Sequence, residues 1–193
     1  MPSRTLHRRR LLSLASVSAG GVLAGCTEFR QQTGLDSRER RGDGEHHLIF
    51  EDDGKQVFTV SAAYREFDRE RDRFPLELTT SQARRVELDR LRFELQVLND
   101  DANRDDQFAL VATGTAYEGL QFYQDSDDHG TAIVDFPSVD FPGSIVLEFL
   151  VDSRLADELL SITVDAELVP HDGFAERYLA IDSMRFDPSS REE

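Results

Sequence analysis

The sequence predicts an all-β domain, an antiparallel β-sandwich of the immunoglobulin-like or jelly-roll kind. Three observations predict it. From residue 46 onward apolar residues recur mostly with a period of two, Gly, Pro or Asp clusters separate most of the apolar runs, and no long segment has the period of an amphipathic helix. About eight to ten short strands with turn signals between them are typical of such a sandwich.

The strongest strand signal lies at residues 91–97, where apolar and polar side chains alternate strictly. This pattern predicts a half-buried strand. Val86 and Leu88 have the opposite parity to that run. A β-bulge near Asp89 and Arg90, or a short helix before them, would reconcile the two parities.

The other strands are predicted from shorter runs. Asp53-Gly54 separates apolar residues 48–50 from the alternating run 56–64, and Asp-Gly is a strong two-residue hairpin signal. Residues 65–74 alternate in charge and are expected to form a loop or one helical turn, and residues 155–160 a short helix. The remaining predicted strands are 76–78, 108–117, 120–124, 131–136, 144–151, 161–169 and 178–186.

Composition indicates one strongly acidic domain. The chain has 193 residues, 39% of them hydrophobic, and a formal net charge of −16. Four of its 22 basic residues lie in residues 1–25, which hold no acid, so the remaining 18 against 38 acids leave about −20 on the rest. Nucleic acid is therefore not expected as a partner, because phosphate binding needs basic clusters.

The basic residues are almost all arginine, and Lys55 is the single lysine. Arginine is weakly hydrated and pairs with carboxylates through a planar fork, whereas lysine is a compact, strongly hydrated charge. An acid excess with almost no lysine resembles the proteins of extreme halophiles, especially haloarchaea. This resemblance implies that molar salt relieves the repulsion among the acids.

Residues 8–26 have the layout of an export signal, with a basic cluster followed by an apolar stretch and a small-residue site. The stretch from Leu11 to Gly25 is too short to span a membrane, which takes about 20 apolar residues as a helix. Arg8-Arg9-Arg10-Leu11-Leu12 resembles the twin-arginine motif. The resemblance implies export by the twin-arginine route.

Leu23-Ala24-Gly25-Cys26 resembles a lipobox. In a lipobox the small residues admit a signal peptidase and the cysteine thiol carries the lipid. The resemblance implies that Cys26, the only cysteine of the chain, anchors the protein to the extracellular face of the cell membrane. Together the two motifs are similar to the signals of twin-arginine-exported lipoproteins of haloarchaeal type.

These motifs divide the chain into three parts. Residues 1–25 are predicted to be the signal peptide, residues 26–45 the lipidated cysteine with a flexible tether, and residues 46–193 a single β-sandwich domain. The tether prediction rests on the low periodicity and few large apolar residues of this stretch.

The sequence offers one candidate metal site, a calcium site at residues 101–105. Asp101, Asn103 and Asp105 place side-chain oxygens at alternate positions, as many calcium loops do. The EF-hand pattern is absent beyond them, because Asp106 stands where a turn glycine belongs and Ala112 where the bidentate glutamate belongs. Residues 125–129 form a second acidic loop. Solvated turns are the default interpretation of both, and no cofactor is expected, with calcium as the alternative.

No catalytic motif is found. The chain has no G-x-S-x-G, CxxC or HExxH pattern, and acids are too abundant to single out a glycosidase pair. His46, His47 and His171 are interpreted as isolated surface histidines, and the adjacent His46 and His47 would point to opposite faces of a strand. We expect a non-catalytic extracellular β-domain that binds an envelope protein or a ligand, or supports the envelope. An exported enzyme using Asp or Glu carboxylates and a calcium-stabilised binding module are the alternatives.

Overall fold

The described part of the chain consists of twelve β-strands in two six-stranded sheets. The computed structural model describes residues 31–42, 44–64, 73–98, 107–113, 119–124, 130–139, 143–152, 159–171 and 176–186. The strands are β1 Gln31–Gly34, β2 Asp36–Gly42, β3 Glu45–Asp52, β4 Lys55–Tyr64, β5 Arg73–Gln82, β6 Val86–Leu98, β7 Gln107–Thr113, β8 Gln121–Gln124, β9 Thr131–Phe136, β10 Val146–Asp152, β11 Leu159–Pro170 and β12 Glu176–Phe186.

The predicted antiparallel β-sandwich is confirmed. Sheet I has the strand order β1-β12-β11-β6-β9-β8, and sheet II has the order β2-β3-β4-β5-β10-β7. All pairs are antiparallel except β1 with β12, which is parallel. The sheets stack with β12 across β2 and β3 and with β9 across β7.

The core fills the space between the sheets. On β6 the burial alternates along the strand, and Phe93 and Leu95 are completely buried. On sheet II the rings of Phe50 and Phe58 face each other across β3 and β4 with centroids 5.9 Å apart. Burial of such side chains is the main stabilising contribution, at about 1.5–3 kcal/mol each.

Two local predictions are confirmed. Leu88 pairs with Leu168 and Arg90 with Glu167, so Asp89 is the extra residue of a β-bulge that reconciles the two parities of β6. The Asp53-Gly54 turn joins β3 and β4, and both residues have positive φ, 49° and 74°. Such a turn matches the twist of the two strands.

The tether prediction is wrong for residues 31–42. This stretch forms β1, which pairs with β12 in sheet I, and β2, which pairs with β3 in sheet II. The chain changes sheet at Leu35, whose backbone nitrogen donates to the carbonyl of Leu179 at 2.9 Å. Every residue of β2 is exposed, so this edge strand carries no alternating apolar pattern and is held by backbone pairing with β3 and by polar contacts such as that of Arg38 with Glu51.

Two further predictions, a helix at residues 155–160 and a loop at residues 65–74, are wrong at the residues that the structure describes. Leu159 and Leu160, expected at the end of a short helix, belong to β11, and Arg73 and Phe74, expected in a loop, begin β5. The rest of those two segments lies outside the described residues. Long-range pairing with β6 and β10 explains the strands at these positions.

The sandwich has two ends, which we name by the course of the chain. The entry end is where β1 begins at Gln31, and it also carries the Asp53-Gly54 turn, residues 83–85 and His171. The exit end is where β12 ends, beside the start of β11. Because β11 has 12 residues, the ends are about 40 Å apart at roughly 3.3 Å per residue.

Candidate functional site

A groove at the entry end is lined entirely by described residues. It lies where the chain passes from β5 in sheet II to β6 in sheet I, and its volume is about 560 Å³. Three separate segments, 81–87, 143–144 and 171, line it. They contribute Ser81, Gln82, Ala83, Arg84, Val86, Glu87, Gly143, Ser144 and His171.

Backbone hydrogen bonds fix the walls of the groove. The nitrogen of Ala83 donates to the carbonyl of Val57 at 2.8 Å, and the nitrogen of His171 donates to the carbonyl of Arg85 at 2.9 Å. These bonds tie the β5–β6 connection to both sheets. A concave site whose walls are already held in place loses little conformational entropy when a ligand enters.

The opposite wall is held in the same way. The nitrogen of Thr80 donates to the carbonyl of Ile145 at 2.9 Å, and the nitrogen of Ile145 donates to the hydroxyl of Thr80 at 3.1 Å. Gly143 precedes this pair with a φ of 141°, which L side chains rarely adopt. The glycine therefore lets the chain turn into the groove wall without backbone strain.

One of the residues that line the groove, Gln82, has an unsatisfied side-chain amide oxygen. Its Oε1 is buried and has no hydrogen-bond partner in the described part of the chain. Buried polar atoms are nearly always hydrogen-bonded, because leaving one unsatisfied costs about 1–3 kcal/mol. A ligand with an N–H or O–H donor would relieve that cost only if the side chain turned to expose this oxygen, because Oε1 is itself buried.

The remaining lining residues set the chemistry that the groove can offer. Arg84, Glu87, Ser144 and His171 are exposed, whereas Val86 is buried. The groove thus combines a small apolar surface with a guanidinium, a carboxylate, an imidazole and hydroxyls. This mixture suits a small polar group with both donors and acceptors.

A charged cluster on the outer face of sheet I lies apart from the groove lining. Nη1 of Arg177 donates to Glu167 and to Asp89, both at 2.6 Å, and Arg90 lies 3.6 Å from Glu167. The hydrogen bond with Glu167 is the largest cause that raises the pKa of Arg177, and the charge of Asp89 raises it further, against the lowering effect of burial. The hydrogen bonds from Arg177 therefore hold the carboxylates of Asp89 and Glu167 in place at the β6 bulge.

His46 corrects the interpretation of surface histidines, because it is only 8% exposed. Desolvation by burial lowers its pKa below the ordinary value of 6.5, while the hydrogen bond and charge of Glu39 partly oppose the shift. Its ring lies 6.4 Å from that of Tyr64. His46 does not line the groove.

His46 and His47 point to opposite faces of β3, as predicted. The Nδ1 of His46 lies 3.5 Å from Glu39, whereas the Nδ1 of His47 lies 2.8 Å from the hydroxyl of Ser61 on the other face. Within the described ranges no three His, Cys, Asp or Glu side chains form a group that could hold a metal ion.

The predicted lipidation and calcium residues lie outside the described residues. These are Cys26, the export-signal residues Arg8, Arg9, Leu11, Leu12, Leu23, Ala24 and Gly25, and the calcium candidates Asp101, Asn103 and Asp105, together with residues 125–129. The strand ends that flank the two acidic loops are neighbours, since the nitrogen of Val97 donates to the carbonyl of Gly130 at 3.0 Å. No helix in the described segments is long and apolar enough to cross a membrane.

Sequence reasoning did not find the groove. Its residues come from three segments that are distant in the chain, so no local motif connects Gln82 with Ser144 and His171. The space for the groove arises where the chain changes sheet between β5 and β6. The sequence carries no signal for it, because strand order cannot be derived from the residues alone.

Several solved structures resemble the chain weakly. A yeast delta-COP-I mu-homology domain complexed with a WxWxV peptide has 13% identity and a TM-score of 0.36, and the match covers 68% of this chain and 55% of that chain, so this chain spans little more than half of the yeast one. A cohesin module from a Clostridium perfringens family 33 glycoside hydrolase has 12% identity and a TM-score of 0.37, covering 68% and 96%. A collagen-binding domain from a Staphylococcus aureus adhesin has 9% identity and a TM-score of 0.34, covering 63% and 95%. At such identities and TM-scores none of these resemblances bears on function.

No curated protein matches the chain significantly. A family model described as a domain of unknown function, DUF8121, matches residues 30–190. The matched region begins immediately before β1 and extends beyond the end of β12, so it includes both edge strands of the N-terminal part.

Proposed function

We propose that the β-sandwich of this chain, which belongs to the DUF8121 family of domains of unknown function, is a non-catalytic binding domain. We also propose that a lipid on Cys26 holds the domain at the outer face of a cell membrane. The observation that carries the binding role is the groove at the entry end with the unsatisfied Oε1 of Gln82. An unsatisfied buried atom in a native protein calls for an explanation, and we propose a ligand that satisfies it on binding.

The anchor is supported by the lipobox-like sequence that ends at Cys26 and by the position of β1. Only four residues separate Cys26 from Gln31, the first residue of β1. A lipid on this cysteine would therefore hold the sandwich beside the membrane. Lipobox proteins usually carry two acyl chains on a glyceride, and two chains anchor a protein stably whereas one chain does so only marginally.

The alternative of an enzyme that uses two carboxylates finds less support. Asp89 and Glu167 are brought together, but Arg177 bridges them on the outer face of sheet I. Glycosidase chemistry needs two carboxyl groups that both face the scissile bond. Here the guanidinium of Arg177 lies between the two carboxylates and donates to each of them at 2.6 Å.

The anchor is tested with Cys26→Ser in cells that express the chain. We expect the lipidated protein to sediment with membranes and the Cys26→Ser protein to appear in the medium. Mass spectrometry of the Cys26 peptide provides the second measurement. Continued membrane retention of the variant, or an unmodified thiol in the wild-type protein, would contradict the anchor.

The binding role is tested on the released Cys26→Ser protein. We expect it to cosediment saturably with washed envelope vesicles from cells that lack the chain. Ser144→Tyr, which places a ring in the groove, should reduce the bound fraction. Ser138→Tyr is the matched control, because Ser138 is an exposed loop serine that does not line the groove. Equal binding of the two tyrosine variants would rule out the groove as the binding site.

A further inference from the structure

We infer that the entry end of the sandwich faces the membrane, so that the groove opens toward lipid headgroups and the exit end projects outward. This inference rests on the proposed lipid anchor.

The length of chain between the anchor and β1 carries the inference. Gln31 is five positions after Cys26, and five extended residues span at most about 18 Å. The two ends of the sandwich are about 40 Å apart, from the 12 residues of β11 at roughly 3.3 Å each. With the exit end on the bilayer, Gln31 would stand farther from the surface than this segment reaches.

β1 transmits the restraint to the whole domain. It pairs in parallel with β12 from Gln31 to Gly34, and the chain continues through Leu35 into β2 of the other sheet. The anchor therefore pulls on both sheets at the entry end. A long flexible tether would have left the orientation free, but residues 31–42 are strands.

The groove lies at this same end. Gln31 is level with the start of β12, and Pro170, which precedes the groove residue His171, pairs with Val86 of the groove. On sheet II the entry end is fixed by the hydrogen bond from the Tyr178 hydroxyl to Asp52 at 3.1 Å. A ligand of the groove would then be a group at the membrane surface.

The exposed apolar side chains do not favour a domain that lies on its side. Among the described residues the large exposed ones are Val111, Tyr123, Leu159 and Ile181, which belong to four different strands. Val111 and Ile181 lie on strands of different sheets, and Leu159 lies at the exit end. A flat-lying protein needs a contiguous apolar face in the bilayer interface, whereas these side chains of the described residues are divided between the two sheets and the exit end.

The test uses energy transfer from the lipidated protein to an acceptor lipid. Because Cys26 is the only cysteine and its thiol would be acylated, an introduced cysteine is the only free thiol. Lys55→Cys labels the entry end and Leu159→Cys labels the exit end, both at exposed positions. Each protein is purified with its lipid, labelled with a donor dye and reconstituted into vesicles that contain a rhodamine-labelled lipid.

We expect higher transfer efficiency from residue 55 than from residue 159 at every acceptor density. A flexible Gly-Ser insertion between Glu28 and Phe29 should reduce the difference, since it lengthens the connection to β1. Equal or reversed transfer from an acylated protein would overturn the orientation and leave the anchor intact. An unmodified Cys26 in the mass spectrum would overturn both.

Discussion

Asp89, the extra residue of the β6 bulge, accepts a hydrogen bond from Nη1 of Arg177 on β12, with 2.6 Å between the two atoms. The same nitrogen lies 2.6 Å from Oε2 of Glu167 on β11, the strand between them. The side chains of Arg177 and Glu167 are each 22% exposed, so water screens the interaction only in part. One guanidinium thus joins three neighbouring strands at the place where their regular pairing is interrupted.

Replacing this arginine should destabilise the domain. We expect Arg177→Met to lower the free energy of unfolding by about 1–2 kcal/mol, because it leaves two carboxylates close together, and hydrogen bonds to charged groups contribute about 1.5–3 kcal/mol when shielded. Urea denaturation at fixed salt measures the change. Arg73→Met is the control, since the Arg73–Asp152 pair is 45% and 39% exposed and such pairs contribute about 0–1 kcal/mol. Equal losses in the two variants would contradict a special role of Arg177.

His46 should make stability depend on pH. Burial lowers its pKa in the folded state below the unfolded value of 6.5, so the unfolded chain binds the proton more readily. The contribution of His46 to the stability of the fold is therefore fully present above the unfolded pKa. This contribution is lost as the pH falls through the unfolded pKa, and the loss ends once the imidazole of the folded protein is also protonated. Glu39 opposes the shift, whereas Arg41 and His47 add to it.

The measurement is the melting temperature from about pH 7.5 to about pH 5.5. We expect the wild-type protein to lose more stability over this interval than His46→Gln does. His171→Gln controls for removal of an imidazole at an exposed position. If His46→Gln shows the same pH dependence as the wild-type protein, burial of this side chain does not contribute to it.

Strong local periodicity made part of the fold predictable. The alternation in residues 91–97 identified β6, and the change of parity before it located the bulge that the structure places at Asp89. The Asp53-Gly54 turn was identified because its geometry requires positive φ at both positions. In each case the signal lies within a few residues of the feature.

The rest could not be predicted because the information is not local. Every residue of β2 is exposed, so nothing in its side chains distinguishes an edge strand from a tether. The parallel pairing of β1 with β12 joins Gln31 to Glu176, which are far apart in the chain. The groove depends on the same long-range arrangement, since Gln82 and His171 come together only when both sheets have formed.

Gln82 should show opposite effects on stability and on binding. We expect Gln82→Met to raise the free energy of unfolding by about 1 kcal/mol, because it replaces an unsatisfied buried acceptor with an apolar group of similar size. The same variant should bind envelope vesicles less than its parent. Such a trade-off is typical of binding sites.

Gln56→Met is the matched control for Gln82→Met. The amide of Gln56 donates to the hydroxyl of Thr59 at 2.9 Å, so the loss of this bond should be neutral or slightly destabilising. Urea denaturation compares the two variants at one salt concentration. If Gln82→Met were less stable than the wild-type protein, the Gln82 amide would have to be satisfied in the free domain.

Charge repulsion should make the fold depend on salt. The formal net charge is −16, and the distance over which charges interact shrinks from about 10 Å at 0.1 M salt to about 3 Å at 1 M. We therefore expect the melting temperature to fall as sodium chloride is removed, because the compact state holds its carboxylates closer together than the unfolded chain does. Glu148→Gln and Asp53→Asn, which neutralise two exposed acids, should together weaken this dependence. Sucrose at matched osmolality separates screening from a general solute effect, since it carries no charge. A melting temperature that does not change with salt would mean that repulsion among the acids contributes nothing measurable to stability.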